Sequence, residues 1–260
     1  MKQQHYAVIT GASSGIGRSI AKAFAKKGMN IIAVARRDNL LVKLKDEIAG
    51  INPDIEVIVK KCDLSSTEQA IAFYHSLTHY QVQVWVNNAG MGYYGSVSSQ
   101  PVDKIQTMLN LNIQSLVILS SLYINDYRDI ADTQLINISS AGGYTIVPNA
   151  VTYCASKFFV SSFTEGLARE LIAEGAQLRA KVLAPAATKT EFGQVANNVE
   201  HYDYDVSFGT YHTSEQLAEF AMALYDSDSI TGYVDRESFN FQLVDGKMLN
   251  AYNSKFNQKS

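Results

Sequence analysis

A glycine-rich turn, Thr10-Gly-Ala-Ser-Ser-Gly-Ile-Gly17, joins a short β-branched, apolar run (residues 5–10) to a stretch of helical spacing (residues 15–27). This junction constrains the fold most, because the alternation it starts continues down the chain. Ile16, Ile20, Ala23 and Phe24 share one helical face, and Gly28 stops the helix. Residues 31–35 form the next apolar run, followed by a helix through Leu40, Leu41, Leu44 and Ile48. Residues 55–60 read as a third strand, 68–79 as a third helix and 82–87 as a fourth strand. Beyond them, 102–126 reads as one long helix, 133–139 as a strand, 151–173 as a second long helix and 178–184 as a sixth strand. A helix over 214–225 and a closing strand over 239–244 complete the pattern. Strands alternating with helices are joined by crossovers, and crossovers imply a parallel sheet covered on both faces. The expectation is an α/β fold, a doubly wound parallel sheet of about seven strands in one domain over residues 1–260. Residues 188–213 are long for a connector and read as an irregular lid.

Composition narrows the function classes. The 260 residues are 47% hydrophobic and 18% charged, the balance of a soluble globular protein. A net charge of −3 offers no basic surplus for nucleic acid. The first strand starts by Tyr6 and leaves no room for a signal peptide. The most apolar helical stretch, 111–124, contains Asn112, Gln114 and three serines and is short for a membrane span. Two cysteines are too few for a disulfide framework. A cytoplasmic protein without a membrane partner is expected. The five histidines show no metal-ligand spacing, so no metal is expected.

The glycine turn has the context of a phosphate cradle, strand before and helix after. Gly11 allows a tight turn, and Gly15 and Gly17, flanking Ile16, let a pyrophosphate approach the helix N-terminus, where free N–H groups and the helix dipole favour an anion. Ser13 and Ser14 can add hydrogen bonds to it. The end of the second strand faces the adenosine ribose in such folds, where an acid suits a 2′-hydroxyl and an arginine a 2′-phosphate. Here the strand ends Ala-Val-Ala35-Arg36-Arg37, with no acid at Ala35, which favours NADP(H) over NAD(H). The competing reading for one of these arginines is a solvated surface charge. Asp63, ending the third strand, is placed to touch the adenine edge or to charge a helix N-terminus.

Tyr153-Cys-Ala-Ser-Lys157 places a phenol and an amine four residues apart on one helical face. Such a pair is usually unremarkable surface. Tyrosine has a reference pKa near 10, so acid–base work near neutrality needs a nearby cation, which Lys157 supplies with the right sign. Ser140 lies thirteen residues before Tyr153, at the end of the fifth strand, on the edge where open α/β sheets place ligands. Its hydroxyl can hold a substrate oxygen beside the phenol. Together with the cradle, in this order, the set points to proton and hydride transfer at a carbonyl.

The chain resembles the short-chain dehydrogenase/reductase family. The resemblance rests on the glycine turn, Cys62-Asp63-Leu64, Asn87-Asn88-Ala89-Gly90, Leu111-Asn112-Ile113, Ile138-Ser139-Ser140 and Tyr153-Cys-Ala-Ser-Lys157. It implies a Rossmann-like fold in which Asn112, Ser140, Tyr153 and Lys157 form a catalytic tetrad. Tyr153 would be the acid–base. Lys157 would lower its pKa and hold the nicotinamide ribose, Ser140 would orient substrate, and Asn112 would anchor a water that relays protons. Asn88, Ala89 and Gly90 would border the cofactor ribose. Where family members often carry Pro-Gly after the sixth strand, this chain has Pro185-Ala186-Ala187-Thr188-Lys189-Thr190. Pro185, the Thr188 backbone and the Thr190 hydroxyl remain expected cofactor contacts.

Five rings in the lid, Phe192, Tyr202, Tyr204, Phe208 and Tyr211, suit an apolar or aromatic carbonyl or alcohol substrate and the exclusion of water. Each can equally pack the lid onto the body, and Tyr93 and Tyr94 stand in the same position. The resemblance also implies a homodimer or homotetramer, paired through the two long helices. The competing function is a non-catalytic NADP(H)-binding redox sensor of the same fold.

Overall fold

The strands β1 (His5–Thr10), β2 (Asn30–Ala35), β3 (Val57–Lys61) and β4 (Gln81–Asn87) alternate with the helices α1 (Gly15–Lys26), α2 (Asp38–Ile51) and α3 (Thr67–His75). The second half continues with α4 (Val102–Leu109), α5 (Leu116–Tyr127), β5 (Gln134–Ile138), α6 (Val151–Ala173) and β6 (Arg179–Ala184). It closes with β7 (Thr188–Lys189), α7 (Phe192–Asn197), α8 (Tyr204–Phe208), β8 (His212–Thr213), α9 (Ser214–Asp226), β9 (Thr231–Val234) and β10 (Phe241–Val244). The computed structural model describes residues 5–251.

The main sheet runs β10-β9-β6-β5-β4-β1-β2-β3. Its strands are parallel except β10, which pairs antiparallel with β9. The sheet therefore has eight strands rather than about seven. The additional strand is β9, four residues that begin Thr-Gly and lie directly beside β6. The expected closing strand over 239–244 is present as β10, which ends the sheet as the outer arm of a hairpin with β9. From β1 the chain builds outward through β2 and β3, then returns to build outward from β4. The order reverses between β1 and β4, which opens a crevice at the carboxyl ends of these two neighbours.

Period-two alternation divides β1 between two cores. Ala7 and Ile9 face Ile20, Phe24, Leu41 and Leu44 on one side. Tyr6 and Val8 face Trp85, Leu119, Tyr123 and Leu171 on the other. Burying both faces is what a parallel sheet requires. The expected long helix is interrupted: between α4 and α5 the chain makes a π-helical turn, Asn110–Ser115. The run Val102–Tyr127 is long and apolar enough to cross a membrane by length and composition alone. It packs on the sheet through Leu119 and Tyr123, while Met108 packs against Tyr153 and Cys154 of α6, and all three are buried.

A buried polar chain braces the centre. Trp85 Nε1 donates to Asn87 Oδ1 at 2.8 Å, and Asn87 Nδ2 donates to Ser120 Oγ at 3.1 Å and to Asn137 Oδ1 at 2.9 Å. Asn137 Nδ2 then donates to Thr164 Oγ1 at 2.9 Å. One satisfied network thus joins β4, α5, β5 and α6. The lid is ordered rather than irregular: two short helices are clasped at the base by the parallel pair β7 and β8.

Glu165 anchors the second half of α6. Its carboxylate is buried and accepts from Tyr144 Oη at 2.6 Å, Thr231 Oγ1 at 3.1 Å and the N–H groups of Lys247 and Met248 at 2.9 and 2.8 Å. Replacing it with alanine strands four donors. Glu165→Ala is expected to lower the unfolding free energy by about 3 kcal/mol, read as a fall in the denaturant midpoint at unchanged slope.

Candidate active site

The cradle follows from close packing at the crevice. Thr10 Oγ1 donates to Val86 O at 3.2 Å and accepts from the N–H groups of Asn88 and Ala89 at 3.0 and 2.9 Å. Asn88 Nδ2 donates to Thr10 O at 2.9 Å. A Cβ on Gly11 would lie 2.9 Å from both Ala89 Cα and Asn88 Nδ2, and Gly11 has φ +67°. A Cβ on Gly17 would strike the Asn88 amide and the Gly11 carbonyl. Gly17 therefore serves the packing of α1 on β4 and does not line the crevice. The first turn of α1 holds no acid, and its N-cap Ser14 makes no side-chain cap. Those uncapped amides and bare glycines fit a dinucleotide phosphate.

At the end of β2, Arg37 Nη2 donates to Ser14 Oγ at 2.7 Å and to Ser13 Oγ at 3.3 Å, and pairs with Glu191 Oε2 at 2.8 Å. Arg36 is exposed and forms no ion pair among the described residues. Asp63 Oδ1 accepts from Ser65 N and Oγ at 3.0 and 2.8 Å, so one of its oxygens closes a turn while the residue borders the cleft.

The reactive end is built by β5 and α6. Ser140 Oγ accepts from Gly142 N at 3.0 Å and borders the same cleft as the Tyr153 phenol. Ser139, the preceding serine, points into the body and bonds Lys157 O at 3.0 Å and Ser161 Oγ at 2.7 Å. Lys157 Nζ donates to Ile138 O at 2.9 Å and lies so close to Gly90 that a Cβ there would be 3.3 Å away. Both residues are buried. Burial pushes Tyr153 up to about 12, against the lowering effect of the Ser140 hydroxyl, and burial pushes Lys157 down to about 8. In the cofactor-free protein the phenol thus shifts away from neutrality rather than towards it.

Asn112 sits in the π-helical turn. Its Oδ1 accepts from Met91 N at 2.9 Å, and its Nδ2 donates to Met91 O at 2.9 Å and Ser156 Oγ at 3.0 Å. The side chain is thus engaged in tying the segment after β4 to α6, and it does not line the cleft.

Of the expected catalytic and cofactor-binding residues, all but Asn112 and Gly17 border one cleft of about 700 Å³ at the carboxyl edge of the sheet, from Gly11 and Arg36 at one end to Ser140, Tyr153 and Thr190 at the other. Ala186 borders it without positive φ, and Thr188 Oγ1 donates to Ala186 O at 3.0 Å to close the turn. The Thr190 hydroxyl accepts from Phe192 N at 3.2 Å. Four of the five lid rings line the cleft, and so does Tyr94; Tyr211 and Tyr93 do not. Phe192 lies 5.4 Å from the Tyr153 ring, and Tyr94 5.9 Å. Sequence reasoning missed Val147, Glu191, Arg236 and Phe239, which reach the cleft from loops without a motif.

The model of the short chain dehydrogenase family matches residues 5–201. Dehydrogenase/reductase SDR family member 11 of Gallus gallus is 32% identical over 192 residues, covering 72% of this chain and 75% of that protein. Sulfoacetaldehyde reductase of Chromohalobacter salexigens is 30% identical over 216 residues, covering 81% and 84%. The solved structure of a short-chain dehydrogenase from Sphingobium yanoikuyae in complex with NADPH superposes with a TM-score of 0.80 at 27% identity, covering 88% of this chain and 87% of that one. With its sequence and fold matching in this way, the chain belongs to the short chain dehydrogenase family of nicotinamide-dependent oxidoreductases.

Proposed function

We propose that this protein is an NADP(H)-dependent oxidoreductase that interconverts a carbonyl compound and its alcohol, with Tyr153 as the acid–base. The observation that carries the reading is the convergence of Ser140, Tyr153 and Lys157 at one end of a cleft whose other end is the phosphate cradle. When bound, the nicotinamide supplies or takes up the hydride. The chain's own residues do the rest. Ser140 and Tyr153 bind the substrate oxygen. In reduction the Tyr153 hydroxyl gives its proton to that oxygen, and in oxidation the phenolate takes it back. Lys157 lines the same cleft as the phenol, with an amine that burial has made easy to deprotonate, and its ammonium form would favour the phenolate. Gly11, Ser13, Ser14, Gly15 and Ile16 would hold the pyrophosphate, with Asp63 at the adenine. Asn88, Ala89 and Gly90 would lie along the ribose, and Pro185, Thr188 and Thr190 would lie along the nicotinamide. The aromatic wall of Tyr94, Phe192, Tyr202, Tyr204 and Phe208 supports an apolar or aromatic substrate and excludes water around the transfer.

A panel of ketones and aldehydes with NADPH, followed at the nicotinamide absorbance, tests the reading. Turnover is expected, and Tyr153→Phe is expected to reduce it by about 10²- to 10⁴-fold while NADPH still binds. Tight cofactor binding with no turnover by the wild type would instead favour a sensor.

The cofactor preference rests on the free Arg36 and the absence of an acid at Ala35. Arg36→Ala is expected to weaken NADPH about tenfold or more and NADH little, measured by titration calorimetry. Equal losses for both would remove the 2′-phosphate role.

The pH dependence has a definite sign. Reduction needs the phenol and should fall as pH rises; oxidation needs the phenolate and should rise over the same span. Lys157 is an ammonium below about pH 8, so its support for the phenolate is present there and lost above. Lys157→Met should move both midpoints upward. Profiles of kcat/KM that rise with pH for both reactions, or fall with pH for both, would sink the assignment.

A further inference from the structure

Arg37 already holds an anion. Its Nη2 donates to Glu191 Oε2 at 2.8 Å while also donating to Ser14 Oγ at 2.7 Å and Ser13 Oγ at 3.3 Å. Arg37 and the serines belong to the cradle, whereas Glu191 belongs to the lid, between β7 and α7. All of them line the cleft. The carboxylate therefore occupies ground where the cradle gathers positive potential. Arg37, with help from Ser14, holds the Glu191 carboxyl below its ordinary range, so it is charged throughout neutral pH. Both side chains are nearly half exposed, at 46% and 49%, and an ion pair of that kind is weak and displaceable.

The neighbours of Glu191 reach both ends of the site. Thr190 packs on the cradle, with its Cγ2 3.0 Å from where a Gly15 Cβ would lie. Phe192 packs on the Tyr153 ring at 5.4 Å and on Tyr94 at 6.3 Å. Residues 190–192 thus connect the phosphate loop to the proposed acid–base by direct contact.

We propose that Glu191 is an internal anion that competes with the cofactor phosphate for Arg37 and Ser14, which makes it a determinant of cofactor affinity and ties cofactor binding to release of the 190–192 corner over Tyr153. The inference rests on the cofactor reading above. A phosphate that takes Arg37 must first separate it from Glu191, so the strength of that pair is subtracted from the affinity. The freed Glu191 then no longer fixes the start of α7, and the ring of Phe192 can settle against a bound substrate.

The test is calorimetric binding of NADPH, NADH and adenosine 2′,5′-bisphosphate to the wild type, Glu191→Gln and Glu191→Ala, joined to hydrogen exchange of amides 190–197. Both variants are expected to bind NADPH about two- to fivefold more tightly than the wild type. Cofactor-free Glu191→Gln should already show the exchange pattern that the wild type adopts only with cofactor. Tightening confined to NADPH and the bisphosphate identifies the competitor as the 2′-phosphate; tightening shared by NADH identifies the diphosphate. Either supports the proposal. Unchanged or weaker binding by both variants, with a wild type that binds NADPH, overturns the role of Glu191 and leaves the cofactor reading intact. A wild type that binds neither dinucleotide overturns both.

Discussion

The hydroxyl of Thr10 makes three hydrogen bonds, and the site is organised around them. It donates to the end of β4 and accepts from the two N–H groups that follow, those of Asn88 and Ala89. These strands are the neighbours at which the sheet order reverses, so the helices that leave them go to opposite faces and a crevice opens. The Thr10 clamp fixes the two lips of that crevice against each other. Asn88 extends the clamp to the Thr10 carbonyl, and its amide then forbids a side chain on Gly11 or Gly17. The glycine pattern is thus dictated from both sides, by the anion it can receive and by the strand it packs on.

The other end of the crevice depends on charges that burial discourages singly. Tyr153 alone resists becoming a phenolate, and Lys157 alone resists remaining an ammonium. In the proposed function each would have to make the other's charged form tolerable. This requires that neither move. Lys157 is anchored on Ile138 O, and the network from Trp85 through Asn87 and Asn137 to Thr164 locks α6 to the strands beneath it. An oxidised nicotinamide, being cationic, would add the same sign of field as Lys157.

What the sequence made legible was local. The cradle, the Tyr153–Lys157 pair and the strand–helix alternation are patterns of spacing within one or two elements, and spacing is preserved in a linear text. What it concealed was pairing across distance. The β9 strand has four residues, too few for a period to register, and it gains its identity from β6. The π-helical turn at Asn110–Ser115 carries no glycine or proline to mark it, and helical periodicity runs through it. Asn112 carried a family signature but not its local partners, Met91 and Ser156, which lie 21 and 44 residues away. The pairing of Arg37 with Glu191 spans 154 residues, and neither charge announces the other.

The lid shows why its rings were ambiguous from sequence. Tyr204 Oη accepts from Gly193 N at 3.1 Å and donates to Thr190 O at 3.1 Å, and its ring packs against Tyr202, Phe208 and Tyr211. A Cβ on Gly193 would collide with the Tyr202 ring and lie 2.8 Å from the Tyr204 hydroxyl. The lid therefore has a small aromatic core of its own, and the same rings that hold it together present a face to the cleft. Its shape answers to that core more than to the sheet, so substitutions there can reshape the substrate wall while the Thr10 clamp and the cradle stay as they are. In the proposed function, selection of substrate and chemistry at the carbonyl would rest on separate packing, joined where residues 190–192 meet Gly15 and Tyr153.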